Sequence, residues 1–119
     1  MQKLMERVFK VKENNENNER VNAIEVKLYY RRDAGYSYWD GHREERGYLL
    51  SIIPTEIKEC DGYTIHSTTM GSGVNILLRE VNRKSAKVER ELLEELTDEK
   101  IKEYIRQYIP EYELEETKN

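Results

Sequence analysis

Ile24, Val26, Leu28 and Tyr30 alternate with Glu25, Lys27 and Tyr29. Successive side chains of a strand point to opposite faces, so this two-residue period predicts a strand with one buried and one solvated face. Such a strand cannot stand alone. It needs neighbours in an antiparallel sheet and a second layer over its apolar side. The chain supplies the neighbours. Gly47 to Ile53 is rich in β-branched, aliphatic and aromatic residues, with Pro54 at or past its end. Glu56 to Glu59 lead on toward Asp61-Gly62, and Tyr63 to Thr69 read as the return strand. Asp40-Gly41 and Asp61-Gly62 both suit tight hairpin turns, whose central residues take positive φ. Strands joined in order by short turns predict a meander. Upstream, Leu4, Met5, Val8, Phe9 and Val11 fit neither period, so only a short strand is expected there. Glu13 to Glu19, rich in Asn, reads as a loop.

The period changes after Gly71-Ser72-Gly73, where Ser72 is the expected N-cap. Val74, Leu77, Leu78, Val81, Val88, Leu92 and Leu96 recur at three- and four-residue spacing, with Ser85 on the same side. This predicts one long helix of about 24 residues with a single apolar stripe. Thr97 and Asp98 mark a second cap. Ile101, Tyr104, Ile105, Tyr108 and Ile109 line a shorter helix that Pro110 stops. The expected fold class is α+β, a small antiparallel β-meander sheet packed against a long C-terminal helix followed by a shorter one. Its divisions are an N-terminal arm or short strand with the Asn-rich loop (1–20), a single α+β domain (21–109) and an acidic tail (110–119).

Composition narrows the function classes. Leu, Ile, Val and Phe account for 27 of 119 residues, enough for a small core but not for a large enclosed cavity. No apolar run approaches the roughly 20 residues that cross a bilayer, so no membrane partner is expected. Met1 to Arg7 lacks the apolar middle of a secretory signal, and Cys60 has no partner for an internal disulfide, so a cytoplasmic setting is expected. Two His and one Cys do not make a structural zinc site, and nothing calls for a metal or cofactor. The net charge of −4 is uneven: residues 1–88 hold 15 basic and 13 acidic residues, residues 89–119 hold 5 and 11. An acidic end that includes Glu91, Glu94 and Glu95 serves solubility, or docks on a basic surface such as the groove of a nucleic-acid enzyme.

Three constellations are candidate sites. Seven of the eleven aromatic residues (Tyr29, Tyr30, Tyr36, Tyr38, Trp39, Tyr48, Tyr63) fall within 35 residues, among Arg31, Arg32, Arg43 and Arg46. Cross-strand tyrosines cover a small sheet. Tyr, Trp and Arg also dominate interface hot spots, and aromatic platforms with Arg hold single-stranded nucleic acid. Tyr36, Tyr38, Trp39, Arg43 and Arg46 are accordingly the candidate protein-binding residues, with Glu91, Glu94 and Glu95 as an acidic complement. On the predicted long helix, Arg79, Arg83, Lys87 and Arg90 share a face opposite the apolar stripe. They form either a solvated back or a nucleic-acid-binding ridge. Thr69 to Gly73 could offer backbone amides to an anion, but no Lys-Ser/Thr follows, so it is not a P-loop. Catalysis finds little: His42 and His66 have no neighbouring nucleophile, and Glu59 and Asp61 disfavour a Cys60 thiolate. No enzyme is expected.

Tyr29-Tyr30, then Ala34-Gly35-Tyr36-Ser37-Tyr38-Trp39, Arg46-Gly47-Tyr48 and Ser51-Ile52-Ile53-Pro54 carry a resemblance. Over about residues 24–90 the chain resembles short accessory proteins of phages, plasmids and conjugative elements of Gram-positive and gut bacteria. Their pattern is a Tyr-Tyr strand end, a Gly, an aromatic hairpin, Arg-Gly-Tyr-Tyr, Ser-x-x-Pro and a Lys/Arg-rich helix. Ala34 stands where that pattern has Gly and Glu45 where it has Pro, which puts the hairpin's conformation in question. The resemblance implies a non-enzymatic host-takeover factor in the bacterial cytoplasm, an anti-CRISPR inhibitor whose partner is a host protein such as an RNA-guided nuclease. The alternative is a nucleic-acid-binding accessory protein that uses the aromatic sheet face and the basic ridge. A homodimer through an exposed edge strand is a further expectation.

Overall fold

A computed structural model describes residues 2–12, 21–31, 46–60, 63–69, 73–81 and 83–115. The elements are β1 (Gln2–Lys10), β2 (Ala23–Arg31), β3 (Gly47–Cys60), β4 (Tyr63–Thr69), β5 (Val74–Glu80), α1 (Ala86–Glu95) and α2 (Asp98–Tyr108). The class is α+β, as the alternation of polar and apolar residues predicts. All strand pairs are antiparallel, in the order β1-β2-β3-β4, with β5 also on β3.

β3 is long enough for two partners along one edge. Its second half, Thr55 to Cys60, pairs with β4, and its first half, Gly47 to Ile52, pairs with β5. The fourth row of the sheet is therefore β4 and β5 placed end to end. This overturns the single long helix. Val74 to Glu80 is a strand, and α1 begins only at Ala86. Val74, Ile76 and Leu78 alternate with Asn75 and Leu77, a two-residue period hidden inside the three- and four-residue one. What decides between the two periods is the first half of β3, whose second edge would otherwise carry unpaired backbone groups at the centre of the sheet. The N-cap moves accordingly. Ser85, not Ser72, starts the helix, its Oγ accepting the Val88 amide at 3.3 Å; Ser72 lies outside the described residues. Thr97 caps α2 as the sequence suggests, accepting the Lys100 amide at 3.2 Å, and the helix ends before Pro110.

Pro54 sits inside β3 rather than at its end. The amide side chain of Asn22 donates to the Ile57 carbonyl and accepts from its N–H, so odd-numbered residues here turn their backbone groups toward β2. The Pro54 nitrogen then faces the opposite edge, where pairing passes from β4 to β5 and no donor is needed. β1 is a full nine-residue strand. A register shift between Lys3 and Met5 puts its two ends out of phase, which is why no clean period is legible in the sequence.

Ile24, Val26, Leu28, Tyr30, Tyr48, Leu50 and Ile52 present one continuous apolar face, and Leu92, Leu96, Ile101, Ile105, Ile109 and Tyr112 cover it. The acidic end is tied down as far as Glu115. Tyr112 is buried, and Leu114 bridges Val11. Among the described residues no helix is long and apolar enough to cross a membrane.

Candidate protein-contact site

The β2–β3 register sets Tyr30 opposite Tyr48 and Arg31 opposite Gly47. Residues 32–45 therefore leave and rejoin the sheet at one end, next to the end of β5 and the start of α1. Tyr36, Tyr38, Trp39 and Arg43, the core of the expected contact surface, lie in that segment and outside the described residues, as do His42 and the Asp40-Gly41 turn. What the structure describes is the end of the sheet formed by Tyr30, Arg31 and Arg46 to Tyr48.

That end of the sheet is tightly built. The Tyr30 and Tyr48 rings are 5.1 Å apart and tilted by 46°. Tyr48 is fully buried, yet its hydroxyl is satisfied, donating to Glu89 Oε2 at 2.8 Å and accepting the Ser85 amide at 3.0 Å. The same Ser85 caps α1, so one tyrosine ties the sheet to the first turn of the helix. Burial raises the Tyr48 pKa above the ordinary tyrosine value, and the Glu89 carboxylate pushes it the same way. Beside it, Gly47 holds φ 154° in close approach to β5. A Cβ there would sit 2.1 Å from the Arg79 carbonyl oxygen, so only glycine fits. Arg46 is half-buried and its carbonyl accepts the Val81 amide at 3.2 Å.

The four cations do not share a helix face. Arg79 lies on β5, where its guanidinium grips both Glu95 oxygens at 2.8 Å. Arg83 is exposed between β5 and α1, and only Lys87 and Arg90 stand on the helix. The expected acidic residues are divided in the same way. Glu95 is taken by Arg79, while Glu91 and Glu94 are exposed on α1 among those two cations. His66 stands opposite Ile57 and Cys60 opposite Tyr63 in the sheet. Among the described residues no cluster of His, Cys, Asp and Glu is placed to hold a metal ion.

Sequence reasoning missed the importance of the face opposite the helices. There Tyr29 reaches across β3 to donate to Asn75 Oδ1 at 3.0 Å, and Val8 and Leu77 are 43% and 38% exposed. Lys27 bonds to Glu25 at 2.6 Å, and that hydrogen bond raises its pKa. Lys3 pairs with Glu6. The face thus combines apolar residues with charges that neutralise one another locally. Its signal was the odd-numbered half of the same alternation that revealed the core. No protein-family model matches the chain, no curated protein is significantly similar to it, and no solved structure matches its fold.

Proposed function

We propose that the protein is a non-enzymatic binding module that acts by docking on another protein. The observation that carries this reading is the ordered base at either end of residues 32–45. Its two feet, Arg31 and Arg46, flank a Tyr30–Tyr48 pair locked to the N-terminus of α1. Aromatic and Arg-rich contact residues lose less entropy on binding when their base is already ordered. The surrounding charges favour a protein over a nucleic acid. Arg79 is neutralised by Glu95, and Lys87 and Arg90 are interleaved with Glu91 and Glu94, so among the described residues this row does not offer the clustered cations that phosphate binding requires.

The resemblance to accessory proteins of mobile elements supplies the finer part of the proposal. The target is an RNA-guided nuclease, and the role is anti-CRISPR inhibition in a bacterial cytoplasm. The test is to add the purified protein, or its Tyr38→Ala/Trp39→Ala variant, to cleavage reactions of a panel of RNA-guided nucleases. Stoichiometric inhibition by the native chain, lost in the variant with its circular dichroism intact, is expected. A pull-down from lysate with and without nuclease treatment separates protein from nucleic-acid partners. Equal capture by native chain and variant would remove the hairpin from the interface.

A further inference from the structure

β5 has β3 on one side and, among the described residues, no strand on the other. Two hydrogen bonds of β3 and its approach fix which way the backbone faces. The Arg46 carbonyl accepts the Val81 amide at 3.2 Å, on the side of β5, and the Thr55 carbonyl accepts the Asn22 amide at 3.2 Å, on the side of β2. Backbone direction alternates along a strand, so even-numbered residues of β3 turn toward β5 and odd-numbered ones toward β2. Val74 and Ile76, opposite Ile52 and Leu50, therefore face inward, and the N–H and C=O groups of Asn75 and Leu77 point away from the sheet. Both residues are exposed. Among the described residues no backbone group pairs with theirs on that side.

The chemistry of this edge differs from that of β1. There Lys3, Glu6, Arg7, Lys10 and Lys12 line the strand and its continuation, and the backbones of Lys10 and Lys12 are bonded to Glu115 and Glu113. Charge and cover of this kind protect an edge from pairing with another chain. Val74-Asn75-Ile76-Leu77-Leu78, in contrast, carries no charge and no proline. On the face toward the helices, Val74, Ile76 and Leu78 pack against the core yet are only half-buried. On the other face Leu77 is 38% exposed. The core thus runs out to an apolar rim at β5, with unpaired backbone groups beside it.

We propose that β5 pairs with β5 of a second copy of the chain, antiparallel about a two-fold axis at Ile76. The strand is self-complementary in this register. Asn75 stands opposite the partner's Leu77, and Leu77 opposite the partner's Asn75. Each such pair exchanges both backbone bonds, so every outward group of the two residues is satisfied. The side chains match as well. Ile76 meets the partner's Ile76 on the helix-covered face. At the ends of the seam Val74 meets the partner's Leu78, the extra residue where the register against β3 shifts. A charged segment of another protein would find no opposite charge on Val74 to Leu78, whereas a second copy brings the same uncharged, apolar rim. The homodimer expected through an exposed edge strand thereby receives a definite strand. The pairing goes beyond the protein-binding reading and does not depend on it.

A seam this short falls below the standard size of stable interfaces, so a dissociation constant on the order of 10 μM is expected. Sedimentation velocity of the full chain, at concentrations from well below to well above that value, should show a single step from monomer to dimer. Leu77→Pro deletes an outward donor and leaves the inward bonds of Val74 and Ile76 to β3 in place, a position where an edge strand tolerates proline. Leu77→Lys places a charge on the seam without touching the backbone. Each is expected to weaken the dimer by about tenfold or more. Thermal unfolding at low concentration checks that the sheet persists, and Leu77→Lys alone decides if the proline variant melts early. Hydrogen exchange gives the location, with protection of the Asn75 and Leu77 amides rising with concentration. A monomer throughout the range, a dimer of unchanged strength in Leu77→Lys, or assembly past the dimer overturns the proposal. So does full protection of Asn75 and Leu77 where the chain sediments as a monomer, because the edge would then be covered by the chain itself. Nuclease inhibition measured at monomeric concentrations reports on the binding reading by itself.

Discussion

The two faces of the sheet are built from the same strands, one residue out of step. Toward the helices, Ile24, Val26, Leu28, Leu50 and Ile52 have no exposure. Away from them, Glu25, Lys27, Tyr29, Ser51 and Ile53 alternate with those residues, and their charges are settled by short local pairs such as Lys27 with Glu25. A one-residue slip would exchange the two sets, so burial under the helices fixes the register. The covered face holds the fold together, while the other is covered only in part, with Leu49 and Ser51 buried on it and Val8 and Leu77 exposed.

The largest test of this division is a matched pair of truncations. Leu50→Ala removes a fully buried side chain beneath α1 and α2 and is expected to cost about 3 kcal/mol, within the usual range for core leucines. Leu77→Ala, on the face away from the helices and 38% exposed, is expected to cost less than about 1 kcal/mol. Urea unfolding monitored by circular dichroism measures both. Similar losses would mean that the second face is also structural.

Gly47→Ala probes the boundary between the faces, at the foot of the hairpin segment. Its Cβ would collide with the Arg79 carbonyl at 2.1 Å, so β5 must separate from β3 or the backbone must leave φ 154°. A loss on the order of 2–3 kcal/mol is expected in the same assay. The exchange of the Tyr48 and Leu50 amides, which face β5, should accelerate before that of Val26. Uniform acceleration would show instead that β5 and the core open as one unit.

The legible parts of the molecule are those where one period dominates. Residues 24–30 and 101–109 each repeat a single pattern against a single packing surface, and β2 and α2 appear where that pattern puts them. Val74 to Leu78 satisfied both periods. Local sequence could not arbitrate, because the deciding fact was the unpaired first half of β3, a contact with residues more than twenty positions away. β1 was obscured by its own bulge. Pro54 was misleading because its effect depends on which edge its nitrogen faces. As for the site, Tyr36, Tyr38 and Trp39 of the aromatic cluster lie outside the described residues, whereas the cation row depended on a single long helix that does not form. The partnership of Tyr48 with Ser85 and Glu89 joins segments about 40 residues apart, and no short motif announces it.

Tyr48→Phe keeps the ring and removes the hydroxyl bonds to Ser85 and Glu89, so about 1–2 kcal/mol should be lost at neutral pH. The substitution also has a pH signature. Burial raises the folded pKa above the unfolded value, so the folded chain holds this proton more tightly than the unfolded chain. The associated stability is complete below pH about 10 and is lost as pH climbs from there through the raised folded value. Native protein should therefore lose stability more steeply above that point than Tyr48→Phe. Parallel curves would remove Tyr48 as the link between sheet and helix.

Lys27→Ala is the smallest expected effect and the sharpest check on the face turned from the helices. The Lys27–Glu25 pair is short, and its hydrogen bond raises the lysine pKa, yet the lysine side chain is 39% exposed. Water and salt screen a pair at that exposure, so about 0.3 kcal/mol is expected at low ionic strength and none at 1 M salt. The lone Glu25 left behind would then lie diagonal to Glu6 of β1, a modest repulsion that the double variant Lys27→Ala/Glu25→Ala should relieve. A loss above about 1 kcal/mol that persists in high salt would show that this pair is part of a desolvated network. In that case the second face would be a structural layer in its own right.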